Sequence, residues 1–403
     1  MEKILVLNAG STTVKFQLYN MDEQSDEIIT GGLVERIGQE GSKIIINTQN
    51  GENLAYETQL KNHKEAIKAI LEYLSHKYIK KASELAAVAH RMGYGGKYDG
   101  SAAIDDEVMQ QLYASIPLIP LHGPAIAEGI KAMQDFIPNV LQVAVFDTAF
   151  HQTVKKEGYL YALPKEMYEK DQVRRYGFHG PSHRYVTEKA AKYLGYKGRF
   201  ICCHLGGGAS VSAVKDGKCV MTSMGFTPMS GIVMSTRPGD IDPYIPLHIM
   251  KTQNKTADEV NALLNKQSGL YGLTGGRSDM RDILQSAANG DENCQLALDL
   301  YIYNIIKTIG SGIAFMEGID ALIFTAGIGE KSSLIRQKIC ERLAYLGIAL
   351  DNEANNAYPA PTTISAEQSA VKVLVIPTNE ELMMAKEAYA IYVAQAEEKK
   401  VAV

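Results

Sequence analysis

The stretch KILVLNAGSTTVKFQLYN, from Lys3 to Asn20, decides how the rest of the chain is interpreted. Ile4–Leu7 is a short apolar run rich in branched residues, which is typical of a buried strand. Asn8–Thr13 is a turn of small and hydroxylic residues, and Val14–Tyr19 then alternates apolar and polar residues, the period of a half-buried strand. The stretch therefore predicts a hairpin whose loop turns backbone N–H groups and hydroxyls toward one point, a concavity that suits a phosphate.

Four side chains of this hairpin are candidate ligand groups. Ser11 and Thr13 supply hydroxyls, Lys15 adds a positive charge, and Asn8 offers an amide oxygen that a hard cation could use. An ordinary Gly/Ser/Thr hairpin accounts for the same residues equally well. The loop is not a Walker sequence, because no G-x-x-x-x-G-K-[ST] pattern occurs and a strand follows it.

A second copy of the pattern favours the functional interpretation. Phe200–Ser212 reads FICCHLGGGASVS, again an apolar strand, a glycine-rich turn and an alternating strand. Two phosphate-type hairpins far apart in one chain indicate an internal duplication with ligand between the halves.

Composition sets limits on the class of protein. The chain has 403 residues, 46% of them hydrophobic and 22% charged, which predicts an α/β protein of two to three domains. A net charge of −5 gives no basic surface for nucleic acid, and no apolar run is long enough for a membrane span. Five cysteines without metal spacing, two of them in the predicted strand at Cys202 and Cys203, favour reduced thiols and a cytoplasmic location.

Periodicity predicts the remaining elements. The predicted helices are 62–78, 107–112, 125–136, 184–194, 257–265, 279–288, 294–316, one from about 332, and 382–396. The predicted strands after the first hairpin are 27–33, 43–46, 86–89, 141–150, 321–325 and 371–376.

Several polar residues fall at the ends of these predicted strands, where ligands of open α/β sheets bind. Arg91 follows one strand and could hold a carboxylate or phosphate, although structural arginines are common at such places. Asp147 lies at the end of another and is a candidate base, or a cap of the next turn. The segment YGFHGPSH, 176–183, lacks acidic or cysteine partners at zinc spacing, so its histidines favour catalysis or phosphate contact over metal ligation. The glycine-rich turn Ala326–Glu330 suits nucleotide binding, but one G-x-G is weak evidence.

Taken together, the segments resemble the acetokinase (acetate/propionate kinase) family of the sugar kinase–hsp70–actin superfamily, from about Lys3 to Tyr392. The motifs that carry the resemblance are NAGSTTVKF, AHR, VAVFDTAFHQT, RRYGFHGPSHRYV, CHLGGGAS, TSMGFTP, STRPGDIDP, SDMRD, FTAGIGE and IPTNEE. The resemblance implies an α/β fold of duplicated actin-like ATPase (ribonuclease H-like) domains with a ligand cleft between them. The first domain would hold residues 1–147 and the C-terminal helix 381–403, the second residues 148–380, and the chain would form a homodimer.

The resemblance also implies reversible, Mg²⁺-dependent phosphoryl transfer between ATP and a short-chain carboxylate, with Mn²⁺ as a possible substitute. The implied catalytic residues are Arg91, Asp147, His179 and Arg237, with Asp147 expected to orient Arg91 or substrate. The implied substrate pocket is Arg91, Gly93, Leu121, His122, Phe178 and Pro228. Phosphates would contact Ser11, Thr13, Lys15 and His204, Leu205, Gly206, Gly207, Gly208. Adenosine would contact Asp279, Met280, Arg281 and Gly327, Ile328, Gly329, Glu330, Lys331, and the metal would be organised by Asn8 and Glu380.

Departures from the family pattern leave alternatives open. Gly93 stands where relatives carry an aliphatic residue of the acyl pocket, so propionate or butyrate could be preferred to acetate, at about 0.8 kcal/mol per CH₂ buried. Gly207 and Lys331 each replace an asparagine near the phosphate donor, which raises the alternative of pyrophosphate. A non-catalytic nucleotide-switched protein is the alternative from another class.

Overall fold

The computed structural model describes residues 1–47, 53–119, 122–357, 359 and 362–401. Its internal contacts divide the chain into two compact units. The first unit comprises Met1–Ala149 and Asn379–Val403, and the second comprises Phe150–Thr378. The domain boundaries expected from the sequence stay a prediction. The contacts place Glu380, expected at the end of the second domain, in the first unit.

The described residues form strands in both units. The strands are β1 Glu2–Ala9, β2 Thr13–Met21, β3 Asp26–Glu35, β4 Lys43–Asn47, β5 Asn53–Glu57, β6 Leu85–Met92, β7 Ala102–Ala103, β8 Leu141–Phe146, β9 Arg199–Leu205, β10 Ala209–Lys215, β11 Lys218–Thr222, β12 Ala321–Thr325 and β13 Lys372–Val375.

Helices cover the sheets and connect their strands. The α-helices are α1 His63–Lys77, α2 Asp106–Ser115, α3 Gly123–Phe136, α4 Lys156–Tyr159, α5 Lys165–Glu169, α6 Gly180–Leu194, α7 Tyr244–Gln253, α8 Ala257–Lys266, α9 Gly269–Leu273, α10 Met280–Ala288, α11 Glu292–Met316, α12 Ala326–Lys331, α13 Ser333–Arg342, α14 Asn352–Asn356 and α15 Glu380–Val401. Short 3₁₀ turns lie at Ala82–Glu84, Ile116–Leu118, Ala149–Thr153 and Ala344–Leu346.

The sheet of the first unit has the order β5-β4-β3-β2-β1-β6-β8-β7. The first hairpin forms as predicted: β1 and β2 are antiparallel, and Asn8 pairs with Lys15 at the loop end. β6 and β8 continue the sheet in parallel with β1. Leu5 and Leu7 of β1 pack into one core with α1 and α3, while α15 contacts β1, β6 and β8.

The sheet of the second unit has the order β11-β10-β9-β12-β13. β9 and β10 form the second antiparallel hairpin, and β12 and β13 run parallel to β9. The first unit contains the same arrangement as β3-β2-β1-β6-β8. The repeated strand order confirms the duplication that the two hairpins predicted. Cys202 and Cys203 lie fully buried in β9, and burial raises the pKa of both thiols.

Several sequence-based boundaries were wrong. The strand expected to extend to Phe150 ends at Phe146, and a 3₁₀ turn begins three residues later. The turn expected over Ala326–Glu330 is itself the short helix α12, which begins with Ala326 at a φ of 64°. α7 was not predicted, because it buries none of its residues and so shows no inward-facing stripe. Among the residues that the structure describes, no helix is long and apolar enough to cross a membrane.

Candidate active site

The parallel strands of the first unit bring three predicted site residues to one edge of the sheet. Leu7 of β1 pairs with His90 of β6, so the next residues, Asn8 and Arg91, fall side by side. Asp147 follows the last residue of β8, the next strand along. The carboxyl ends of parallel strands meet at the same edge of a sheet, which is where ligands of such folds bind.

Two carboxylates hold the Arg91 guanidinium. Nε and Nη2 donate to Asp147 Oδ1 and Oδ2 at 2.9 and 3.1 Å, and Nη1 and Nη2 donate to Glu380 Oε2 and Oε1 at 3.0 and 3.1 Å. Burial alone would lower the pKa of Arg91, but the two carboxylates outweigh that effect and raise its pKa above the ordinary value. These contacts use four of the five N–H groups, so one Nη1 hydrogen remains for a further acceptor.

The hairpin residues predicted to contact phosphate lie near this cluster in the sheet. The Lys15 ammonium is 2.7 Å from Glu381 Oε1, and its side chain is 45% exposed. Ser11 is exposed, and the Gly10 N–H donates to the carbonyl of Thr13 at 2.8 Å, which closes the loop. Lys15 is thus paired with a carboxylate on α15 while its side chain stays partly exposed.

The space beside Gly93 is bounded by Ile119. A methyl group on the Gly93 Cα would lie 3.8 Å from Cδ1 and Cγ2 of Ile119, an ordinary contact distance, so the described residues leave room for a Cβ there. Met92 packs in the core with Leu112 and Phe146 and does not fill this space. His122 is exposed and immediately precedes α3, and its side chain makes no capping hydrogen bond to that helix. The predicted pocket residue Leu121 lies outside the described residues.

In the second unit, a glycine loop separates the two strands of the hairpin β9–β10. Leu205 is fully buried at the end of β9, and the Gly206 N–H donates to the Gly208 carbonyl at 3.2 Å. A methyl group on Gly208 would lie 3.3 Å from both Arg237 Nη2 and His179 Nε2. A guanidinium and an imidazole therefore converge on this loop, an arrangement that suits a phosphoryl group.

Local backbone geometry positions both groups. His179 adopts the left-handed region at a φ of 60° and immediately precedes α6. Its ring stacks on His204 with the centroids 4.2 Å apart. Arg237 Nη1 donates to the carbonyl of Pro228 at 2.6 Å, and burial lowers the pKa of Arg237. Phe178, a predicted pocket wall, is buried next to His179 in the chain.

The two segments that are predicted to contact adenosine are held in place by hydrogen bonds to neighbouring protein groups. Asp279 caps α10 and binds Arg281 through Nε at 3.0 Å and Nη2 at 2.6 Å, contacts that lower the pKa of Asp279 to about 2. Met280, between these two residues in the chain, is buried. In α12, Glu330 Oε1 accepts from the N–H groups of Ala326 and Thr378 at 2.8 and 3.1 Å. Glu330 therefore fixes the start of α12.

One residue that holds α12 in place was not predicted from the sequence. Arg336 is 1% exposed, and its Nη1 donates to the carbonyls of Gly329 and Glu330 at 3.0 and 2.8 Å. Its other nitrogens donate to the side chain and carbonyl of Asn355 at 2.9 and 2.6 Å. α13 is a largely polar helix with two arginines, so no pattern in the sequence indicated that Arg336 is buried.

The fold defines a protein of the duplicated actin-like ATPase class, and the arginine, lysine and histidine side chains described above are the kinds of group that a phosphotransferase uses. A sequence profile described as the Acetokinase family matches residues 3–386. The acetate kinase of Thermotoga petrophila is 49% identical over 96% of this chain and 97% of its own length. The chain belongs to the acetokinase family.

Two solved structures agree with this assignment. The acetate kinase of Porphyromonas gingivalis superposes with a TM-score of 0.89 at 40% identity, covering 97% of this chain and all of that one. A propionate kinase from Francisella tularensis gives 0.90 at 39% identity with the same coverage. The chain is therefore a kinase that phosphorylates a carboxyl group, and its family implies ATP or ADP as co-substrate and a divalent metal.

The first unit contains donors of the right kind for a hard divalent metal. Asn8 supplies an amide oxygen, and Asp147 and Glu380 supply carboxylate oxygens that also accept hydrogen bonds from Arg91. The described residues hold no cluster of three or more His, Cys, Asp or Glu side chains that could bind a metal. Few protein oxygens suit Mg²⁺, which keeps several water ligands and binds through one or two carboxylates and substrate phosphates.

Proposed function

We propose that this protein is an acetate kinase that reversibly transfers the γ-phosphoryl group of ATP to acetate, giving acetyl phosphate and ADP. The observation that carries the proposal is the convergence of His179 Nε2 and Arg237 Nη2 at Gly208, in a chain of this family. Both groups donate hydrogen bonds, and Arg237 carries a full positive charge. Donors fixed in advance around a transferring phosphoryl group are the main catalytic contribution a protein makes to such a reaction.

On the acceptor side, we assign Arg91 to hold the acetate carboxylate. An acetate oxygen attacks the γ-phosphorus, and the bond from phosphorus to the bridging oxygen of ADP breaks. The attacking carboxylate is already ionised at neutral pH, so Asp147 has no proton to remove from it. Its two hydrogen bonds to Arg91 support a positioning role, in which Asp147 fixes the guanidinium that holds the substrate.

Asn8 and Glu380 are the residues we assign to Mg²⁺, with Mn²⁺ as a substitute. Such an ion, when bound, neutralises charge on the phosphate oxygens. The protein's part is to present oxygens on rigid elements: Asn8 lies in β1, and Glu380 begins α15 with its carboxylate held by Arg91. We assign phosphate contacts to the hairpin residues 11, 13 and 15 and to the loop 204–208, and adenosine contacts to 279–281 and 327–331.

A second candidate is a preference for propionate or longer acids. The observation in its favour is the space beside Gly93, where the nearest side-chain carbons, Cδ1 and Cγ2 of Ile119, lie 3.8 Å from a methyl position on Gly93. Each additional buried CH₂ is worth about 0.8 kcal/mol, or roughly fourfold in kcat/KM.

The experiment that separates these proposals is an acyl hydroxamate assay with Mg-ATP across formate, acetate, propionate, butyrate and isobutyrate. The highest kcat/KM with acetate is the expected result. A maximum of kcat/KM at propionate or a longer acid would instead support the second candidate, a kinase that prefers longer acids. No turnover with ATP but turnover with pyrophosphate would contradict ATP as the donor, and no turnover with either would favour the non-catalytic alternative.

We also propose a homodimer. The second unit exposes apolar side chains on α11, with Leu296, Tyr303 and Phe315 all at least 59% exposed. α9 packs against α11, and α7 is apolar along its exposed surface. Large apolar side chains exposed on these helices are candidates for a protein–protein contact. Light scattering should give twice the monomer mass of 44.1 kDa, and Tyr303→Glu should shift it toward the monomer.

We propose a cytoplasmic location because none of the cysteines forms a disulfide in the described residues. All five are free and buried, a pattern typical of a reducing compartment. Fractionation of cells expressing the tagged chain tests this location directly.

A further inference from the structure

One serine hydroxyl lies between two histidine rings in the second unit. Ser210 Oγ is 2.9 Å from His179 Nδ1 and 2.7 Å from His183 Nε2, and Ser210 is fully buried. A hydroxyl donates only one hydrogen, so it cannot donate to both imidazoles. The position of that hydrogen determines the tautomer of both rings.

The surroundings of His183 decide between the two arrangements. His183 is fully buried, and its Nδ1 has no hydrogen-bond partner among the described residues. Burial, together with the neighbouring His151 and His204, holds the pKa of His183 well below its ordinary value, so the ring is neutral. A hydrogen on Nδ1 would be a buried donor without an acceptor, a rarer and costlier situation than an unused lone pair.

His183 therefore carries its hydrogen on Nε2 and donates it to Ser210. The Ser210 hydroxyl then donates to His179 Nδ1, and a ring nitrogen that accepts a hydrogen bond carries no hydrogen, so the ring hydrogen of His179 lies on Nε2. That nitrogen faces the glycine loop, 3.3 Å from a methyl position on Gly208.

Two hydroxyl groups, in series, are hydrogen-bonded to His204, the ring on which His179 stacks. Thr378 Oγ1 donates to Ser182 Oγ at 2.8 Å, and Ser182 Oγ is 2.7 Å from His204 Nδ1. Ser182 is fully buried, so its own hydrogen goes to His204 Nδ1. His204 then also carries its hydrogen on Nε2, 3.8 Å from a methyl position on Gly206.

We propose that two hydroxyl relays, His183–Ser210 and Thr378–Ser182, lock the stacked rings of His179 and His204 as Nε2–H donors facing the loop Gly206–Gly208. The four relay residues are positioning residues, because they act on an anion only through the two rings. The proposal rests on the proposed function for the identity of that anion, a phosphoryl group. A donor locked before the anion arrives needs no rearrangement during the reaction.

The direct test is nitrogen NMR of the imidazoles in the free protein at neutral pH, with His179 identified by loss of its signals in His179→Gln. The shifts distinguish a nitrogen that carries hydrogen from one that does not. The expected result is hydrogen on Nε2 of His179, and loss of this single tautomer in Ser210→Ala. Hydrogen on Nδ1 of His179 in the unmodified protein would overturn the proposal without reference to activity.

Kinetics supply the second test, with a matched control on the same strand. Ser210→Ala should lower kcat at least about tenfold while both KM values change less than about threefold. Ser212→Ala removes an equally buried hydroxyl of β10, whose partner is Thr222, and should leave kcat within about twofold. Equal kcat for the two variants would contradict the relay.

A rescue experiment separates positioning from packing. His183→Gln keeps an N–H that can donate to Ser210, whereas His183→Leu keeps comparable bulk without a donor. Gln should retain kcat within about threefold, and Leu should behave like Ser210→Ala. Gln and Leu variants of equal kcat would overturn the relay. Hydrogen on His179 Nε2 in a protein that phosphorylates no carboxylate would support the relay and contradict only the proposed function.

Discussion

Arg91 and Glu380 lie 289 positions apart in the sequence and form two parallel hydrogen bonds of 3.0 and 3.1 Å. The pair joins the end of β6 to the first residue of α15. Because Asp147 binds the same guanidinium through two further hydrogen bonds, two carboxylates fix the orientation of Arg91. The C-terminal helix α15 thus contributes directly to the contacts that orient Arg91.

Glu380→Gln tests the metal assignment. The amide removes a charge that a divalent ion would use, while Asp147 still holds Arg91. We expect the KM for Mg²⁺ to rise at least about tenfold, with the KM for acetate changed less. Initial rates at varied Mg²⁺ measure this. Glu387→Gln, a carboxylate on the same helix that binds Ser101, is the matched control and should leave the Mg²⁺ dependence unchanged. An unchanged KM in Glu380→Gln would remove Glu380 from the metal site.

Gly93→Val tests the size of the acyl pocket. The added side chain has room to contact Ile119, so the fold should tolerate it, and it should occupy the space available to a longer acid. We expect the ratio of kcat/KM for butyrate to that for acetate to fall at least about fourfold, the equivalent of one CH₂. Formate has no carbon beyond the carboxyl group and serves as the internal control. A ratio that stays constant would show that Gly93 does not border the acyl chain.

Gly208→Ala tests the convergence of His179 and Arg237. The new methyl group would lie 3.3 Å from a nitrogen of each, closer than nine in ten such contacts, and would stand between them and an approaching anion. We expect kcat to fall at least about tenfold with little change in thermal stability. Rates and the unfolding temperature are measured on the same preparation. A variant with normal kcat would place the phosphoryl group elsewhere.

The sequence predicted the duplicated fold because its main signals are local. Each hairpin shows a strand, a glycine-rich turn and a second strand within about twenty residues, and both form as predicted. The contacts of Arg91 with Glu380 and of Ser210 with His183 could not be predicted. They depend on which residues the sheets bring together across long sequence separations, and no periodicity within one segment records that.

Arg336→Leu tests whether a buried anchor supports α12, the segment that we assign to adenosine contacts. Removing the guanidinium leaves the carbonyls of Gly329 and Glu330 without their donor. A lost buried hydrogen bond of this kind costs about 1–3 kcal/mol, so the second unit should unfold at a lower temperature. Because α12 loses its anchor, the KM for ATP should rise while the KM for acetate stays unchanged. Equal increases in both KM values would contradict a role confined to α12.

His90 provides a test of pH dependence. It is fully buried beside Arg91, its Nε2 lies 2.7 Å from Gln142 Oε1, and burial lowers its pKa from 6.5 to about 4. Between these values the unfolded chain binds a proton that the folded chain does not, so stability is complete above pH 6.5 and falls as the pH decreases toward 4. The lost contribution is about 3 kcal/mol. His90→Gln should therefore make the unfolding free energy depend less on pH over this range, and the slope against pH should fall by the equivalent of up to one proton. Urea denaturation at several pH values measures this slope. The control is His76→Gln, which changes an exposed histidine and should leave the slope as it is in the unmodified chain. If His90→Gln gave the same slope as this control, the prediction for His90 would be wrong.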